Sequence, residues 1–125
     1  MNKKGVDLFE KIYGQMEALH SEVSILSRKN PNDGVNKFKL KFINKVIDEA
    51  NGLLKDEYKP FGDFDFFEED DVPTNSDVNM IIAQYLNCLE KLRCDNIGIH
   101  HGVWCWVIEG KQTDIRTSSP KKLKR

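Results

Sequence analysis

Arg93 and His100 are the residues of this chain whose types and spacing most directly suggest chemistry. A guanidinium can hold an anion while an imidazole, which ordinarily titrates near neutrality, moves a proton. Both fall where a helical pattern gives out, so they could share one end of a helix. The competing assignment is structural: Arg93 is a cation favoured at a helix C-terminus, and His100 and His101 belong to a loop.

The run from Arg93 to His100 resembles the Arg-x4-6-His motif of HEPN ribonucleases. That resemblance implies a metal-independent ribonuclease acting as a dimer. Arg93 and His100 of two protomers would bind the scissile phosphate and activate the ribose 2′-hydroxyl. Two features differ from the family pattern: Cys94 stands where a polar residue is usual, and the chain after His101 reads as a strand instead of a closing helix.

Other groupings carry less. Cys88, Cys94, His100, His101 and Cys105 are of types that suit zinc, but no Cys-x2-4-Cys pair starts a knuckle. The three cysteines match no disulfide framework and read as reduced thiols. The acidic run from Asp63 to Asp71 lacks the Gly at the sixth position and the Glu at the twelfth of a calcium loop. No metal and no cofactor is expected from these patterns.

Charge supplies a second class of function. The formal net charge is only -1, yet the cations are grouped. Lys37, Lys41 and Lys45 recur every four residues and line one helix face, with Lys39 nearby and Arg28 and Lys29 upstream. Arg116, Lys121 and Lys122, with Lys124 and Arg125, follow two tryptophans, of which Trp104 could stack on a base. This is the footprint of a surface that touches phosphates; the plain alternative is a solvated lysine face. Lys121-Lys122-Leu123-Lys124 also fits the short basic pattern read by import receptors, although the Lys-, Asn- and Ile-rich composition has a bacterial or viral character.

The elements that must position these residues follow from periodicity. Phe9, Ile12, Met16, Leu19, Val23 and Leu26 form a three-then-four stripe and predict a helix over residues 3–28. Asn30-Pro31-Asn32-Asp33-Gly34 predicts a tight connection, with Asn or Asp as cap. A second helix over 35–55 buries Phe38, Phe42, Ile43, Val46, Ile47, Ala50, Leu53 and Leu54. Asn75 or Ser76 caps a third helix carrying Val78, Ile81, Ile82, Tyr85, Leu89 and Leu92. From Val103 the period drops to two, predicting a strand over 103–108 and a hairpin with 113–117.

Between the second and third helices, Phe61, Phe64, Phe66 and Phe67 are interleaved with carboxylates. Such a segment either covers an open end of its own core or lays Phe64, Phe66 and Phe67 into a partner. The fold expected is mainly α: a three-helix antiparallel bundle with a long acidic Phe-rich loop and a small C-terminal β-hairpin. Residues 1–117 would form one domain, and 118–125 a basic flexible tail. With no export signal and no stretch near the roughly 20 apolar residues that span a bilayer, a cytoplasmic protein without membrane contact is expected. The function expected is a non-catalytic interaction or assembly protein, self-associating or binding a protein partner, with nucleic acid or a nucleic-acid-handling partner on the basic side.

Overall fold

The computed structural model describes residues 1–123; Lys124 and Arg125, the last two cations of the basic end, lie outside the described residues. Among the described residues there are three α-helices, α1 (Lys3–Lys29), α2 (Lys37–Tyr58) and α3 (Asn75–Cys94). A 3-10 turn at Glu69–Asp71 precedes α3, and three strands follow it: β1 (Ile97–His100), β2 (Val103–Ile108) and β3 (Lys111–Arg116). The protein is mainly helical, with a small antiparallel sheet in the order β1-β2-β3. Among the described residues no helix is long and apolar enough to cross a membrane.

Asparagine and threonine side chains start the helices. Asn2 accepts from the Gly5 amide, Asn36 from Lys39, and Thr74 from Asp77, whose own carboxylate accepts from the Thr74 amide to complete a capping box. Thr74 therefore takes the role expected of Asn75 or Ser76. Asn75 is instead buried, its side chain donating to the Asn30 carbonyl. That bond stitches the α1–α2 connection to the start of α3, together with amide bonds from Val35 to Pro73 and from Asn75 to Asp33. Gly34 suits this crossing because a Cβ there would sit 2.5 Å from Val72 Cγ1.

Each helix packs on the other two. Phe9, Ile12 and Met16 of α1 meet Leu40, Ile43 and Ile47 of α2 and Ile82, Tyr85 and Leu89 of α3 in one buried cluster. The stripes read from α1 and α3 point into this core. Phe38 and Phe42 do not: they are 73% and 45% exposed. The inward arc of α2 is completed by Leu40, Ile43, Ile47, Ala50 and Leu54, which leaves the two rings on its shoulder.

The expected hairpin is one half of a three-stranded sheet. β1 pairs Ile97 with Trp106 and His100 with Val103. His101-Gly102 and Glu109-Gly110 make the two turns, with positive φ at both residues of each, the signature of two-residue turns that match strand twist. Strict alternation fails at the centre of β2, where Cys105 and Trp106 are both buried. A register shift between Cys105 and Val107 causes this, and the Thr113 hydroxyl donates to the Trp106 carbonyl across the interruption, at 2.7 Å.

Lys55 holds φ 53°, ψ -170° inside the last turns of α2, a region that is essentially glycine-only. Lys55→Gly is expected to stabilise the fold by about 1 kcal/mol, strain relief outweighing the entropy glycine adds to the unfolded chain. A thermal melt showing no gain would show that the strain released is no larger than the entropy glycine adds.

Candidate functional site

Arg93 presents no free guanidinium to solvent. It is 2% exposed, and all five of its guanidinium donors are used. Nε and Nη2 form a fork on Glu90, at 3.0 and 2.6 Å, while the rest reach the Thr117 hydroxyl and the carbonyls of Ser118 and Ser119. No donor is left for a scissile phosphate. His100 ends β1, and its ring meets that of His101 edge-on at 4.1 Å at the first turn of the sheet. No hydrogen bond or ring contact links it to Arg93. The motif that resembles a nuclease site is thus spent, at its arginine, on a structural clamp.

Glu90, three residues before Arg93 on α3, escaped the sequence reading. It too is buried, and it accepts from the Lys121 amide at 2.7 Å and from the Cys94 thiol at 3.3 Å. Burial alone would raise its carboxyl, but the bonds from Arg93, the Lys121 amide and Cys94 outweigh that and hold it below the ordinary glutamate range. The available signal was a pair of opposite charges at helical spacing, Glu90 and Arg93, flanked by Leu86, Leu89 and Leu92.

Residues 118–121, expected as a mobile basic end, therefore lie along α3. The Lys121 ammonium sits 4.7 Å from the Tyr13 ring centroid and 3.8 Å from Glu17, both on α1. Lys122 is exposed, as is Arg116 at the end of β3. Trp104 is half-buried, opposite Ile99 in the sheet. These cations share no surface with the second helix. Arg116 lies near Glu10 and Lys121 near Tyr13 and Glu17 of α1, whereas α2 meets the other edge of α1, at Lys11, Gln15 and Leu19.

The basic stripe itself is formed. Lys37, Lys41 and Lys45 are exposed along the outside of α2. On the shoulder toward α1, Phe38 and Phe42 stack edge-to-face at 5.1 Å above a groove lined by Leu19, Val23 and Ile43, and Lys39 pairs with Glu22 there at 3.1 Å. On the opposite shoulder runs the acidic segment. Asn44 holds it by a two-way amide bond to the Phe67 main chain, 2.8 Å each way. One heptad on, Asn51 donates to the Asp65 carbonyl and accepts from the buried Tyr85 hydroxyl at 2.6 Å; burial pushes that phenol up to about 12.

These bonds divide the phenylalanines. Phe67 is buried, and Phe64 packs edge-on against both Phe67 and Tyr85. Phe66 is 54% exposed, beside Glu68, Glu69, Asp70 and Asp71. Phe64 and Phe67 thus plug the core, and Phe66 stays at the surface.

Cys88, Cys94 and Cys105 are unpaired. Burial raises the Cys88 and Cys94 thiols, and Glu90 raises Cys94 further, so neither is poised as a thiolate. Among the described residues no group of three His, Cys, Asp or Glu side chains converges to hold a metal ion. No protein-family model matches the chain, and no curated protein and no solved structure shows a significant match.

Proposed function

We propose that this chain is a non-catalytic assembly protein, a three-helix antiparallel scaffold that associates with itself through the outer side of α2. One observation carries this reading: on and beside α2, opposite charges are segregated and, among the described residues, mostly left unpaired. Among the described residues Lys37, Lys41 and Lys45 form no ion pair, and neither do Asp63, Glu68, Glu69, Asp70 or Asp71. Only Lys39 and Lys59 in this neighbourhood find partners, Glu22 and Asp65.

Across α2 the order is acidic segment, lysine ridge, phenylalanine shoulder. A second copy related by a two-fold axis brings the acidic segment and Phe66 of each onto the lysines and Phe38–Phe42 of the other. Light scattering is expected to give a dimer mass at low salt. The mass should fall toward that of the monomer near 1 M salt, where the screening length is ~3 Å. A monomer at every ionic strength would overturn the reading.

A second reading has its own observation. Two exposed phenylalanines beside three unpaired lysines would suit single-stranded nucleic acid, each stacked base contributing about 1–3 kcal/mol. Polarisation of a labelled oligonucleotide separates the two. Salt-dependent binding by a chain that stays monomeric favours nucleic acid, and a dimer that leaves the probe untouched favours self-association.

A further inference from the structure

We infer that the cleft between α1 and α3 is a receptor for a main-chain segment, with residues 117–121 as its built-in occupant, open to the same segment of a second copy. Glu90 and Arg93 form the floor, both nearly inaccessible to solvent. Apart from Thr117 Oγ1, what they touch in the occupant is main chain: two successive carbonyls, Ser118 and Ser119, and then the Lys121 amide. A cleft that engages peptide groups in this order fixes the direction and spacing of the segment it holds, whatever the side chains of Ser118 and Ser119. Selectivity enters at Lys121, through Tyr13 and Glu17.

The occupant is bound as a ligand is, not as a core element. Ser118, Ser119, Pro120, Lys122 and Leu123 are all exposed, so little apolar burial holds them and local opening is inexpensive. β3 ends at Arg116, and the Thr117 amide still donates to the Trp104 carbonyl of β2 at 3.0 Å, so the segment swings from Ser118 while the sheet stays paired. Beyond Lys121 the cleft continues past Gln84, Cys88, Lys91 and Cys94, while Leu123 at its rim remains 63% exposed. The occupant that fits in trans is the same Thr-Ser-Ser-Pro-Lys segment from another copy, by the exchange that lets identical chains swap an end. This does not depend on the outer side of α2, which lies across α1.

The test uses the full chain and a labelled peptide of residues 116–123. Lys121→Pro in the protein removes the amide that donates to Glu90, and the ammonium, while leaving the cleft intact. Its own tail then competes less, and the peptide should bind this variant at least about tenfold tighter than it binds the unaltered chain. Lys121→Glu, which keeps the amide but reverses the charge facing Glu17, should act in the same direction and does not depend on the first variant folding. A peptide carrying the proline should lose at least about tenfold on either variant. Equal binding to altered and unaltered chains, no binding to any of them, or indifference to proline in the peptide would each overturn the inference.

Discussion

Trp106→Ala is expected to lower the melting temperature by at least about 10 °C, and Trp104→Ala by less than half as much. The two tryptophans stand two residues apart, and simple alternation puts them on one face. Only Trp106 is fully buried: it meets Phe9 edge-on at 5.2 Å, and its indole N–H donates to Glu10 at 3.0 Å. Truncating a large ring in a closed core costs about 3–5 kcal/mol, a large share of the roughly 5–15 kcal/mol that holds a domain together. Because the ring joins β2 to α1, the loss should appear as sheet and helices melting together at a lower temperature. Thermal denaturation followed by circular dichroism checks this, and equal effects of the two substitutions would contradict the placement of Trp106.

Glu90→Ala is expected to destabilise by about 3–5 kcal/mol, because it leaves the Arg93 guanidinium buried beside an empty partner site. Glu90→Leu combined with Arg93→Met should recover a good part of that loss, since no charge then remains buried. The pair also dictates an acid limb. A carboxyl held lower in the folded chain than in the unfolded one contributes stability at neutral pH. That contribution drains away as the pH falls through the ordinary glutamate range toward the folded value. Denaturant titrations at several pH values should show this decline in the unaltered chain and a shallower one in Glu90→Ala. Parallel declines would mean that Glu90 does not carry it.

The helices were legible because their apolar stripes are long and regular. The stripe of α1 and that of α3 both point inward, at Phe9, Ile12 and Met16 and at Ile82, Tyr85 and Leu89. Phe38 and Phe42 fall on a broad apolar face by their helical spacing, although Leu40, Ile43 and Ile47 already fill the inward arc of α2. β1 escaped notice because it is four residues long and begins directly after α3, too short for a period to declare itself. The fate of the acidic segment depended on Asn44 and Asn51, whose bonds to Phe67 and Asp65 span 23 and 14 residues. Hydrophobic periodicity carries no information on such polar reach. The spacing of Arg93 from His100 was likewise visible, but not the burial of Arg93 beneath residues 117–119, which comes from the chain folding back after β3.

Charge-reversal complementation tests the assembly claim most directly. One variant carries Lys37→Glu, Lys41→Glu and Lys45→Glu; the other carries Glu68→Lys, Glu69→Lys, Asp70→Lys and Asp71→Lys. At low salt each alone should scatter light as a monomer, since like charges then face each other across the two-fold axis. Mixed in equal amounts, they should regain the dimer mass, and added salt should dissolve it. Dimers formed by either variant alone, or a mixture that stays monomeric, would contradict self-association through the outer side of α2.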